Sequence, residues 1–306
     1  MIQCCEADRS RSAASRNSRS CRGLQAFRGR GMSRRERMIG ALIGDIVGSR
    51  FERHNCKSRD FAFLTPECHV TDDSVMTLAV AHALLESSGH RESLSQQVVE
   101  SMQRFGRRWA KGCYGGRFTR WLYSEHPQPY GSYGNGSAMR VSPCAWAAES
   151  LEDALDMAKR VTMVTHDHPE GLRGAEAVTA VIWLARQGKD QKTIRESVEA
   201  SWYGLDFTLD EIRDGYGWDV SCQGSVPQAI EAFLEADSVE SAVRNAVSIG
   251  GDSDTIAAMA ASMAEARFGV PEELRERILE FLDPPLAGIV ARFEQHFPES
   301  RVLSRA

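Results

Sequence analysis

No CxxC pair and no zinc-like spacing occurs among the eight cysteines, at positions 4, 5, 21, 56, 68, 113, 144 and 222. That excludes a zinc ribbon and a small disulfide scaffold, and makes a reducing, cytoplasmic compartment the expectation. Long apolar runs are missing too. The best, 177–185, contains Thr179 and is nine residues long, against the ~20 that a membrane-spanning helix needs; no membrane partner is expected. Lysine is absent from residues 1–37, where ten arginines face only Glu6, Asp8 and Glu36. This leader has neither apolar periodicity nor the apolar core of a secretory signal, so a disordered basic segment is expected. It reads as translated sequence upstream of a start at Met32 or Met38, as a flexible basic arm, or as a transit peptide. Its net charge of +7 leaves −12 on the remainder, for a formal total of −5. An acidic body argues against a stable nucleic-acid partner.

What is present is helical periodicity. Residues 71–86 place Val75, Leu78, Ala79, His82 and Leu85 three and four residues apart, on one helix face. Similar patterns predict helices over 91–110, 151–164, 171–186, 225–235, 238–248, 255–268 and 271–282, whereas strand-like alternation is scarce. Turn residues separate them, at 112–116, 127–136, 165–169, 215–218 and Gly250-Gly251. The pattern predicts one all-α domain over 38–306, with long loops left for function.

Two carboxylate clusters open helices. Thr71-Asp72-Asp73-Ser74 begins the 71–86 pattern, and Gly250-Gly251-Asp252-Ser253-Asp254-Thr255 precedes an Ala- and Met-rich run. Hydroxyl and carboxylate side chains cap orphan N–H groups, which would explain either cluster alone. A cap needs one acceptor, however, and each cluster holds two carboxylates and a hydroxyl. These are hard oxygen donors suited to Mg2+, Ca2+ or Mn2+, so one or two hard divalent ions are expected. The glycine and closing glutamate of an EF-hand loop are missing, which excludes that motif. Small residues after Thr255 predict a central, closely packed helix that holds its start rigidly.

Glycine carries two further signals. Gly40, Gly44 and Gly48 recur every four residues in GALIGDIVG, which predicts close helix packing; without a Lys-Ser/Thr ending the stretch is no P-loop. The segment 131–140, GSYGNGSAMR, has no apolar periodicity. Its glycines let backbone N–H groups approach an anion, and Ser132, Asn135 and Ser137 add donors, a chemistry suited to phosphate or ribose. A tight turn before a helix near Met139 is the alternative. Gly115 and Gly116 form a second, weaker cradle.

Taken in order, GALIGDIVG (40–48) followed by Glu52, TDDS (71–74), GSYGNGSAMR (131–140), Thr165-His166 and SIGGDSDT (248–255) make this chain resemble the ADP-ribosylglycohydrolase family over about 38–270. The resemblance implies a single compact multi-helix orthogonal bundle with a binuclear centre of two Mg2+ ions, or Mn2+. There the bond between ADP-ribose and its acceptor is hydrolysed. By motif match, the metal ligands would be Thr71, Asp72, Asp73, Asp252, Asp254 and Thr255. Gly115, Gly116, Gly131, Ser132, Tyr133, Gly134, Asn135 and His166 would hold ADP-ribose, with Tyr133 stacking on adenine or packing against the ribose. His168 has no assigned role, and the His-x-His pair is not read as a zinc site. Glu52 matches a glutamate that gates the site and assists cleavage in vertebrate members. The helical pattern fails at 50–57, so Glu52 is expected on a mobile loop at the mouth. Trp218 and Asp219 fall in a loop near the acceptor side.

Cleavage at the ribose C1″ builds oxocarbenium character. A water made more acidic by the metals is the expected nucleophile, with Asp73 or Glu52 taking its proton. The substrate would be an ADP-ribosylated protein, nucleic acid or small-molecule conjugate. Arginine, serine, a DNA base, O-acetyl-ADP-ribose and poly-ADP-ribose stay open as acceptors, although the Glu52 spacing resembles that of serine-specific vertebrate members. Two other readings stand beside this one, a non-catalytic ADP-ribose binder and a Mg2+-dependent nucleotide phosphohydrolase.

Overall fold

The computed structural model describes residues 38–87 and 90–297, and the basic leader expected over 1–37 lies outside the described residues. Among the described residues the regular structure is helical, without a β-strand. In chain order the helices are α1 (Gly40–Gly48), α2 (Asp72–Glu86), α3 (Leu94–Gly106), α4 (Gly116–Leu122) and α5 (Ser142–Ala147). Next come α6 (Leu151–Met163), α7 (Pro169–Arg186), α8 (Gln191–Ser201), α9 (Leu209–Ile212) and α10 (Cys222–Leu234). The last four are α11 (Val239–Ser248), α12 (Ser253–Phe268), α13 (Glu272–Leu279) and α14 (Pro284–His296). None is long and apolar enough to cross a membrane.

Capping sets many of these starts. Thr71, Ser150, Asp190, Thr208, Ser221 and Ser238 each accept a backbone N–H of the turn they open, which satisfies donors the helix itself leaves orphaned. Glu265 serves α1 from a distance: its two oxygens accept the Ile39 and Gly40 N–H groups at 3.1 and 2.9 Å.

Helix α1 is buried along its whole length, and α12 is buried from Ser253 to Glu265. The glycine period explains how two such helices touch. A Cβ on Gly44 would stand 2.1 Å from the Ala257 carbonyl oxygen, and one on Gly48 would stand 2.5 Å from the Asp254 Cα. Only glycine lets the two backbones meet there. Around this pair lie α2, α7, α10 and α11, and further out α3 and α6 show one buried stripe and one polar face.

Several expectations change in detail. The helix predicted over 91–110 is confined to α3, because Gly106 packs its α carbon against Leu122 and the chain turns. The predicted last helix over 271–282 shortens to α13, and α14 follows and packs on α2. Pro284-Pro285 at the start of α14 suggests a break, yet proline is well tolerated in a first turn, where its missing N–H is not needed. Helix α8 buries only Ile194 and Val198, too thin a stripe to register as a pattern. The loop 131–140 enters a 3-10 turn at Asn135–Ser137, and α5 begins at Ser142 rather than near Met139.

Candidate active site

The N-termini of α2 and α12 converge beside the last turn of α1. Thr71 caps α2, and Asp72 and Asp73 stand in its first turn; Asp252 stands at the N-cap position of α12, and Asp254 in its first turn. The two clusters are joined directly, for the Thr255 hydroxyl donates to Asp73 Oδ2 at 3.1 Å. Glycine packing of α1 against α12 adds a fifth aspartate. Asp45, buried in α1, accepts the Thr71 and Ser74 N–H groups on Oδ2 at 3.1 and 3.0 Å, and the Thr71 hydroxyl on Oδ1 at 2.6 Å. Carboxylate oxygens of Asp45, Asp73 and Asp254 lie within 4.8 Å of one another.

So many acids in one buried place raise each other's affinity for protons. Burial pushes the Asp72 carboxyl up to about 8, with Asp45 as the next cause. Asp73 and Asp254 are raised well above the ordinary carboxylate range by burial first and then by neighbouring aspartates. Asp252 is pushed up to about 6 by burial, against the hydrogen bond from Asn135. None of the five aspartates forms an ion pair among the described residues, and Asp73 Oδ1 is buried without a hydrogen-bond partner. A buried anion without a partner is costly, and an all-oxygen donor set with an orphaned carboxylate oxygen fits a hard divalent cation.

Asp72, Asp73, Asp252 and Asp254 face a cavity of about 500 Å³, with Asp45 behind them. Its wall includes Glu52, Asp72, Asp73, Asp252, Asp254 and Thr255 on the acidic side. Gly115 and Gly116, at the start of α4, line it with open space beside their α carbons. Ser132, Gly134, Asn135 and His166 contribute the loop side. Asn135 ties loop to acid cluster, donating from Nδ2 to Asp252 Oδ2 at 2.7 Å. The loop is held from outside by the 220–222 segment: the Asn135 N–H donates to Val220 O at 2.8 Å and the Cys222 N–H to Tyr133 O at 2.9 Å.

Beneath the loop sits a buried cation. Arg140 is 1% exposed and donates to the Thr165 hydroxyl at 2.7 Å. Burial lowers its guanidinium to about 10, which leaves it charged at neutral pH. Thr165 Oγ1 also pairs with His166 Nδ1 at 2.6 Å. Burial, then Arg140 and Arg117, hold His166 well below the usual imidazole range, so it is neutral.

Three of the expected site residues stand off the cavity wall. The Thr71 side chain is turned to Asp45, Gly131 (φ +62°) donates its N–H to Asp167 at 2.7 Å, and Tyr133 is half-exposed with its ring 5.2 Å from that of His168. Glu52 lines the cavity from the end of a short 3-10 turn, and its backbone is tied to Asn55 rather than loose. Trp218, expected in a loop near the acceptor side, is an exposed residue of the cavity lining. Asp45 and Arg140 are the residues that sequence reasoning passed over. Their signals were a charged residue inside an apolar, glycine-rich helix and an arginine closing a loop motif.

Known proteins are similar to this chain over most of its length. The family model described as ADP-ribosylglycohydrolase matches residues 32–301. ADP-ribosylhydrolase ARH3 of Homo sapiens is 26% identical, over 84% of this chain and 90% of that protein. ADP-ribosylarginine hydrolase Tri1 of Pseudomonas putida (strain GB-1) is 26% identical, over 79% of this chain and 72% of its own length. Among solved structures, an "ADP-ribosylglycohydrolase-related protein complex" superposes with a TM-score of 0.63 at 23% identity, covering 84% of this chain and 95% of that one, which shows a shared fold. With the family model spanning the whole described region, the chain belongs to the ADP-ribosylglycohydrolase family.

Proposed function

We propose that this protein is an ADP-ribosylhydrolase that cleaves the glycosidic bond between ADP-ribose and an acceptor, with Mg2+ or Mn2+ held by Asp72, Asp73, Asp252, Asp254, Thr71 and Thr255. The observation that carries this reading is the orphaned, buried Asp73 Oδ1 among unpaired aspartates at two converging helix starts. When bound, two hard cations would supply the positive charge that keeps those carboxylates ionised and orients the ribose hydroxyls.

The chain's own groups divide the remaining work. The acidic side takes the ribose, while the glycine loop, Arg140 and Arg117 suit the diphosphate. The Thr165 hydroxyl, which accepts from Arg140, donates its hydrogen to His166 Nδ1, so the neutral ring presents Nε2–H. Cβ atoms on Gly134 and Gly136 would lie 3.6 and 3.5 Å from that nitrogen, so it faces the loop and serves as a donor to a substrate oxygen. Glu52 is the carboxylate of the wall that stands outside the aspartate cluster. It takes a proton from the attacking water as the water oxygen bonds to C1″ and the acceptor departs with the bonding pair. The catalytic unit is the domain from 38 onward.

The test is release of ADP-ribose from arginine-, serine- and thymidine-linked substrates in parallel, with Mg2+ or with EDTA, and product identification by mass. Intact ADP-ribose, released only with the metal and lost in Asp254→Ala together with Mg2+ affinity, is the expected result. AMP or free phosphate would instead show a phosphohydrolase, and metal-dependent binding of ADP-ribose without release would show a binding module.

A further inference from the structure

The loop that carries Glu52 is tied down by two side chains that no motif marks. Asn55 Oδ1 accepts the Gly251 N–H at 2.8 Å, and its Nδ2 donates to Gly251 O at 2.9 Å. The same Nδ2 reaches Phe51 O at 2.8 Å and Glu52 O at 3.2 Å, closing the turn around Glu52. Lys57 Nζ donates to Arg213 O and Tyr216 O at 2.7 Å each, and to Ile249 O. An ammonium has three hydrogens, so all are used. Ile249 is the C-cap of α11, where carbonyls lack helical partners and the helix end is negative.

The receiving turn is shaped for this contact. Gly250 and Gly251 have φ of +73° and +74°. A Cβ on Gly250 would stand 2.9 Å from Asn55 Oδ1 and 3.1 Å from Lys57 Nζ, and one on Gly251 2.5 Å from the Tyr216 ring. Apolar packing holds the two ends of the Glu52 loop, where Phe51 and Phe61 meet with ring centroids 4.9 Å apart, and between them only the partly buried Cys56. From 53 to 60 every residue except Cys56 is exposed, so polar contacts must hold the middle.

We propose that Asn55 and Lys57 are positioning residues. They lock the Glu52 loop and the 213–218 loop onto the turn immediately before Asp252, and so set where the Glu52 carboxylate stands against Asp252 and Asp254. This inference rests on the role given to Glu52 above.

The test uses the full chain with Mg2+, the ADP-ribosylated substrate that the wild type cleaves, and the variants Glu52→Gln, Asn55→Ala, their double and Lys57→Met. In Asn55→Ala, kcat is expected to fall by at least about tenfold, with KM and the Kd for ADP-ribose within about twofold of wild type. Lys57→Met moves the same way. The double variant is no slower than Glu52→Gln, because both changes act through one carboxylate. Should Asn55→Ala fail to fold, Asn55→Asp replaces it under the same criteria, since it keeps the acceptor for the Gly251 N–H and loses the donated bonds. With Glu52→Gln slow, a wild-type kcat in Asn55→Ala, multiplied losses in the double, or joint loss of kcat and ADP-ribose affinity overturns the clasp alone. A wild-type kcat in Glu52→Gln overturns the role of Glu52 and the clasp with it.

Discussion

Asp45 shows how one buried carboxylate disposes the atoms of another residue. The Thr71 hydroxyl donates to Asp45 Oδ1 and accepts the Asp73 N–H at 3.3 Å, which leaves one lone pair of Oγ1 for a cation. In Asp45→Asn the amide nitrogen turned toward Thr71 would reverse that hydrogen bond and occupy the lone pair. Groups of this kind typically govern metal affinity by about 10–100-fold, and a loss of that size in Mg2+ affinity is expected by calorimetry. Unchanged affinity would show that Asp45 only supports the helix start. The local sequence named Thr71 and the four other aspartates, because acids at a helix start form a recognisable pattern. It did not mark Asp45, since nothing in GALIGDIVG says that the turn of Thr71 will fold over it.

The α1 and α12 pair gives the element scale its sharpest prediction. Gly44→Ala would place a methyl 2.1 Å from the Ala257 carbonyl oxygen, and backbone, unlike the end of a side chain, has nowhere to go. Overpacking of a core costs about 1–3 kcal/mol, occasionally more, and the upper end is expected here in chemical denaturation. The same separation of helices would shift Asp45 from Asp254, so Mg2+ affinity should fall with stability. An alanine variant as stable as wild type would mean that the two helices slide apart without penalty. The four-residue glycine period was readable as close packing, but its partner was not. Helix α12 is more than 200 residues away in the chain, and its alanines and methionines would suit any neighbour. Helix α8 stayed hidden because two apolar residues do not make a periodic face.

Across the whole molecule, the crowded aspartates make stability depend on pH and on metal together. In the metal-free protein Asp72 holds its proton up to about 8 and Asp252 up to about 6, against 3.8 for an ordinary aspartate. From about 4 to about 8 these aspartates bind more protons in the folded chain than in the unfolded one, so their contribution to stability falls as pH rises, while the lowered His82 and His166 act in the opposite sense. Cations compete with those protons, so Mg2+ should raise the melting midpoint more at pH 8 than at pH 5. Thermal unfolding with EDTA and with Mg2+ across that range checks the sign. Asp73→Asn should flatten the metal-free slope and raise the midpoint at pH 8 by a few degrees, while abolishing the Mg2+ response. A midpoint that climbs with pH in EDTA would contradict the crowding.

The sequence by itself determined the all-α class, most of the inner helices and the ordered motifs of the family. Those depend on local periodicity, capping and residue type, which a linear chain displays. The tertiary structure alone decided which acids meet, that Asn135 reaches Asp252, that Arg140 is buried under the loop, and that Asn55 and Lys57 reach Gly251 and the Ile249 carbonyl. These are contacts between groups far apart along the chain. They depend on the angles at which helices pack, and neither spacing nor composition records those angles.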